Sequence, residues 1–297
     1  MERIDRMSTG ILKWIAAAAV GAGLAVAQQP AQAPGQPPAP PASPVARQPK
    51  PKSQKEIAAL QAMFNAQTPD ERIATAKALI TGFADSEFRP LAWQLVAMSY
   101  QQKGDEENMI VAAEELLKVD PKNFNAMIMI SGALARRTRE FDLDKEEKLG
   151  RAEKLANQAR AVIKAAPRPN PQVTDEQWAA AKKDFDAQAA EALGLCALAR
   201  KKYDDAVNHF KFAVDNSSQP EQATMVRLAN AYIEAKRYDE GIGVLDKVLG
   251  MSNLHPAIKQ FAEQEKKRAT MLKDAKPSAA PAQPSAMPQP VPVAPKP

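Results

Sequence analysis

From Ser53 to Asp274 apolar residues recur at spacings of three and four, as in Leu91, Leu95 and Met98, or Ile110, Ala113 and Leu117. That period puts them on one face of an α-helix. No stretch alternates apolar and polar residues for more than a few positions, so strands are not expected. The helix starts are marked chemically. Ser53-Gln54-Lys55-Glu56, Thr68-Pro69-Asp70-Glu71 and Thr174-Asp175-Glu176-Gln177 read as capping boxes, in which two side chains satisfy two backbone amides that no helical carbonyl can reach. Pro69, Pro90, Pro121, Pro167, Pro169, Pro171, Pro220 and Pro256 all fall between helical patterns. Proline lacks the amide and clashes with the preceding turn, so these positions mark helix boundaries. The pattern predicts an all-α chain, with one long helix over Asp175–Lys201 of roughly 40 Å.

The flanks follow a different pattern. Residues 28–52 contain nine prolines and residues 275–297 contain eight, among Ala, Gln and Ser. Such segments cannot bury enough apolar surface to fold, and proline biases them to an extended backbone. They are expected to be disordered, proline-rich spacers. Ahead of them, Arg3, Arg6 and Lys13 precede an apolar run from Trp14 to Ala27 that closes on Ala25-Val26-Ala27. A positive start, a short apolar run and a small-residue ending make residues 1–27 a secretory signal peptide. The expected location is secreted and periplasmic. The alternative is an inner-membrane protein anchored by an uncleaved signal, with the membrane met through that N-terminal segment alone.

Composition narrows the chemistry. Hydrophobic residues make up 45% and aromatics 5% of the chain, with alanine prominent, which suits close helix–helix contacts. The net charge of +5 is spread along the helices and not gathered into a basic stripe, which argues against nucleic acid. Cys196 is the single cysteine and lies in the apolar run Leu193–Leu198, where it reads as a buried small hydrophobe. With only His209 and His255 beside it, no metal-ligand spacing exists, and neither histidine lies near a nucleophile motif. No glycine-rich phosphate loop occurs outside helical or signal segments. No cofactor, metal or catalytic residue is expected.

The central region repeats itself. Leu193-Gly194 is followed by Lys202-Tyr203-Asp204-Asp205-Ala206, and Leu228-Ala229 by Arg237-Tyr238-Asp239-Glu240-Gly241. Tyr203 and Tyr238 are 35 residues apart, as are Gly194 and Ala229. Upstream, Trp93, Ala97, Tyr100, Gly104 and Pro121 form a similar unit. These residues resemble the tetratricopeptide repeat (TPR), here of a secreted bacterial envelope type. The resemblance covers residues 88–252. It implies a TPR α-solenoid of antiparallel helix pairs wound into a right-handed superhelix. Residues 53–87 would form a degenerate N-terminal pair and residues 253–274 a capping helix. The unit beginning near Phe124 departs most from the pattern, with a charged insertion at 136–150 and a proline-containing loop at 167–174.

In this family the first helix of each pair lines a concave groove. Carried over residue by residue, the resemblance assigns to the groove Gln94, Met98 and Gln101, then Asn125 and Ile128, then Gln188, Glu191 and Leu195, and finally Val226, Asn230 and Ile233. The mixture of amides and apolar groups suits an extended peptide or a partner helix. The lysine and asparagine pattern that grips acidic tails is matched only at Asn230. The expected function is a non-catalytic protein–protein interaction scaffold in the bacterial cell envelope. One alternative is a structural spacer or tether acting through the proline-rich tails. Another is a small-ligand binder or enzyme, which would need a deep polar pocket.

Overall fold

The chain reverses direction within a helix pair by the same backbone device three times. Gly104, Lys201 and Lys236 take left-handed conformations, with φ of 73°, 60° and 62°. The amide after each reaches back five residues: Asp105 N to Tyr100 O at 2.9 Å, Lys202 N to Ala197 O at 2.9 Å, and Arg237 N to Tyr232 O at 2.8 Å. This closure satisfies carbonyls that the helix end would otherwise strand.

The computed structural model describes residues 44–275. Among them are eleven α-helices and no β-strand. They are α1 (Gln54–Asn65), α2 (Pro69–Gly82), α3 (Arg89–Gln102), α4 (Glu106–Val119), α5 (Phe124–Arg137), α6 (Lys145–Ala165), α7 (Asp175–Ala199), α8 (Tyr203–Asn216), α9 (Gln222–Glu234), α10 (Tyr238–Leu249) and α11 (Pro256–Asp274). Each packs on the next in sequence, and α5 also meets α7, as α9 meets α11. The result is the all-α solenoid of helix pairs that the repeats imply. The signal segment at 1–27, most of the 28–52 spacer and the tail after 275 lie outside the described residues.

Local chemistry explains where the helices begin. Thr68 and Glu71 complete a capping box, as do Thr174 and Gln177. The Ser53 hydroxyl accepts from Glu56 N at 3.1 Å, but the Glu56 carboxylate reaches past it to Lys52 N at 2.5 Å. That box is therefore half-formed, with the carboxylate fastening the preceding chain.

Small residues set the layer spacing. Ala92, Ala97, Ala126, Ala133, Ala189, Ala206, Ala229 and Ala231 are wholly buried, so helices approach along alanine stripes with Leu, Ile and Met filling between them. Two adjacent helices of successive pairs differ. Helices α6 and α7 run 21 and 25 residues against 12 to 14 in most others. The overhang has its own aromatic clasp. Phe124 meets Phe185 at 4.9 Å between ring centroids, Trp178 meets Phe185 edge-on at 6.3 Å, and the Trp178 indole donates to Ala166 O at 3.1 Å.

Two stretches take a form that the sequence reading did not specify. Most of the insertion expected at 136–150 is helical: Arg136 and Arg137 finish α5, residues 145–150 begin α6, and only 138–144 form a turn. The charges there serve the turn. The Asp142 carboxylate accepts from Arg139 N at 3.1 Å, and Lys148 pairs with Asp144 at 2.8 Å. The end of the proline-rich spacer is extended, as proline requires, but it is docked. Pro44 to Lys52 hydrogen-bond to the loop after α6 and to the turn between α2 and α3.

Candidate functional site

The helices that meet across units are first helices, α5 with α7 and α9 with α11. Helices α3, α5, α7 and α9 thus form one layer, the one the repeat pattern expects to line the concave face. The eleven groove positions expected from sequence all lie on these four helices.

Their accessibility divides them. Gln101 and Gln188 are exposed, and Met98, Asn125, Ile128, Glu191, Leu195 and Asn230 are half-buried. Ile128 leans on the cluster around Met127, Ala159 and Ile163, and Leu195 on that around Ala135, Leu149 and Cys196, so each offers one apolar side to the groove. Three positions are corrected. Gln94 is 8% exposed, Val226 6% and Ile233 2%. Val226 and Ile233 belong to a core shared with Leu245, Ala262 and Ala269, so helices α10 and α11 cover them. A Cβ on Gly241 of α10 would fall 2.8 Å from Ile233 Cγ1, which fixes the direction of that side chain.

Ion pairs and an amide contact one repeat apart tie α7 to α9 and α9 to α11, a feature not anticipated from sequence. Arg227 Nη1 meets Glu191 Oε1 at 2.5 Å, Asn230 Nδ2 lies 3.5 Å from Glu265 Oε2, and Arg268 Nη2 meets Glu234 Oε1 at 2.9 Å. The partners are separated by 36, 35 and 34 residues. Complementary charges at the repeat period were the available signal. Farther along, Arg136 holds Glu106 at 2.8 Å. Glu221, just before α9, completes a mixed-charge centre. Glu221 is exposed as a residue, but desolvation by the surrounding protein raises its carboxyl above the ordinary range, the Glu191 charge adds to this, and Arg227 and Arg136 oppose it. Glu191 is therefore engaged with Arg227, whereas Gln101, Asn125 and Gln188 present amides able to donate and accept.

The titratable groups expected to be structural sit as follows. Burial pushes the Cys196 thiol up to about 12, with Glu153 adding and Arg200 opposing, and its Sγ lies 3.8 Å from Leu149 O. Burial lowers the His209 imidazole on α8, and the Arg160 charge lowers it further. Among the described residues no group of three His, Cys, Asp or Glu side chains could hold a metal ion, and no helix is long and apolar enough to cross a membrane. One exposed apolar feature was not foreseen: Phe141 and Leu143, in the turn between α5 and α6, are 90% and 107% exposed.

Comparison with known proteins agrees with this geometry. Residues 91–123 and residues 197–264 match family models of the tetratricopeptide repeat. The first span is α3 with α4, and the second runs from the end of α7 into α11. The long helix α6 and all but the end of the long helix α7 lie between the two. No curated protein matches the chain. Among solved structures, a thermophilic TPR protein of Thermus thermophilus is similar at 16% identity and a TM-score of 0.46, over 66% of this chain and 90% of that one. The TPR domain of P58(IPK) is similar at 12% identity and a TM-score of 0.29, over 74% of this chain and 66% of that one.

Proposed function

We propose that this chain, which carries tetratricopeptide repeats at 91–123 and 197–264, is a non-catalytic scaffold that holds an extended peptide or a partner helix in its concave groove. The observation that carries this reading is the run of half-buried apolar side chains, Met98, Ile128 and Leu195, interleaved on successive inner helices with the accessible amides of Gln101, Asn125 and Gln188. Extended peptides are recognised this way, with amides reading the backbone and apolar steps taking alternate side chains.

The site of action is the bacterial cell envelope. The support is the positive start and short apolar run of residues 1–27, ending Ala25-Val26-Ala27. In that setting the scaffold serves assembly of envelope machinery, binding protein and not nucleic acid. The alternative, a tether working through its proline-rich tails, draws on the docking of Pro44 to Lys52 along the solenoid.

Crosslinked capture from envelope extract tests the groove, with the intact chain as bait and Met98→Glu/Gln101→Ala/Gln188→Ala as control. None of the three side chains is fully buried, so the variant keeps its fold. One dominant partner lost in the variant supports the groove. Equal capture by both proteins removes it and favours the tether.

A further inference from the structure

The edge of the solenoid where second helices turn into first helices already holds a peptide. Val45 pairs in parallel with Arg168 in the loop after α6: Arg168 N donates to Pro44 O at 2.9 Å, and Ala46 N donates to Arg168 O at 2.8 Å. Gln48 Nε2 donates to Pro169 O at 2.6 Å. The same segment then reaches the turn between α2 and α3. Arg47 pairs with Glu87 at 2.8 Å, Lys50 N donates to Glu87 Oε2 at 3.1 Å, and Lys52 pairs with Asp85 at 2.9 Å. An open recess of about 630 Å³ remains beside it, with Pro49, Asp85, Glu87 and Val119 among its walls.

The contacts define what the edge reads. It needs an extended backbone whose carbonyl and second-following amide face the same way, as in a strand. It needs a small residue at the amide position, because Ala46 is half-buried there while Val45 stays exposed. Downstream, Arg47 on Glu87 and Lys52 on Asp85 add to the hold on the resident segment. Proline around these positions pre-sets the extended backbone and removes competing donors.

The chain contains the backbone part of that specification, Pro-Val-Ala, twice. The docked run is Pro44-Val45-Ala46-Arg47-Gln48-Pro49-Lys50-Pro51, and the tail contains Pro292-Val293-Ala294-Pro295-Lys296-Pro297. The second is the first with Arg47 and Gln48 removed. We infer that the turn edge of the solenoid is a docking site for proline-rich extended segments, and that Pro292–Pro297 is a second ligand competing with Pro44–Pro51 for it. Lacking counterparts of Arg47, Gln48 and Lys52, the tail gives up the Glu87 and Asp85 ion pairs and the bond to Pro169, keeps the two backbone bonds to Arg168, and is the weaker ligand. It takes the site when the N-terminal segment is drawn away. This site lies apart from the concave groove, and the inference stands without the groove reading.

Fluorescence anisotropy with two labelled peptides, residues 44–52 and residues 291–297, tests it on the full chain. The host is Ala46→Pro/Ala294→Pro, which removes the donating amide from both resident segments. Ala46 lies outside the helices, and circular dichroism checks that helix content is retained. Both peptides should bind this variant, displace one another, and bind the wild-type chain about tenfold or more less tightly because the site is filled. A tail peptide carrying Ala294→Pro should not bind. The inference is overturned if the 44–52 peptide binds and the tail peptide does not, or if both bind without mutual displacement. Failure of both to bind overturns it as well, since the edge would then accept no exchanged segment.

Discussion

The ring of Phe210 on α8 lies directly against Gly194 on α7: a Cβ at Gly194 would fall 2.7 Å from ring carbons Cδ1 and Cε1. This close approach is how helix pair α7–α8 closes. Alanine at an ordinary helical glycine gains about 1 kcal/mol of helix propensity. Here Phe210 is fully buried and cannot swing away, so overpacking of about 1–3 kcal/mol outweighs the gain. Gly194→Ala should lower the denaturation midpoint. Phe210→Leu, costly by itself, should reduce the added cost of Gly194→Ala to near zero or reverse it in a double-mutant cycle.

Lys236 should behave in the opposite way. Its φ of 62° is left-handed, where a side chain is strained, and it is exposed with no buried contacts to lose. Gly104 fills the corresponding turn after α3. Lys236→Gly should stabilise the chain by roughly 0.5–1 kcal/mol in urea unfolding. Lys201→Gly should gain less, because Lys201 pairs with Glu140 at 2.5 Å.

His209 gives the fold an acid limb. Its folded imidazole is held below the ordinary value by burial and then by Arg160, so the unfolded chain binds the proton more readily. Its contribution is fully present above the unfolded value of about 6.5 and is lost as pH falls from there through the lower folded value. Between about pH 7.5 and about pH 5.5 the melting temperature should fall more in the wild type than in His209→Gln.

Cys196 should be silent in the native state. Burial raises its thiol to about 12, so almost no thiolate exists near neutral pH. Labelling by iodoacetamide should be negligible until denaturant is added, and should then proceed at the rate of an ordinary thiol. Native labelling at that rate would show that α7 opens locally around Leu193–Ala197.

Much of this architecture was legible before any tertiary contact. Apolar spacing of three and four, the Thr68 and Thr174 caps, and the 35-residue interval from Tyr203 to Tyr238 are local or periodic properties, and they determined the helices and their pairing. The long α7 was likewise visible, because nothing between Thr174 and Lys201 interrupts it. What the tertiary structure decided was which side chains stay accessible. Gln94, Val226 and Ile233 sit at positions that the repeat pattern assigns to the groove, yet they are buried; Val226 and Ile233 are covered by neighbours such as Ala262 and Ala269 that lie a repeat away. The same holds for the proline-rich segment. Its composition dictates an extended backbone, but its docking needs Arg168 and Pro169, 121 residues from Gln48 in the case of Pro169. Backbone preference is set by residues a few positions apart. Burial and pairing are set by what the fold brings alongside, and no local pattern encodes that.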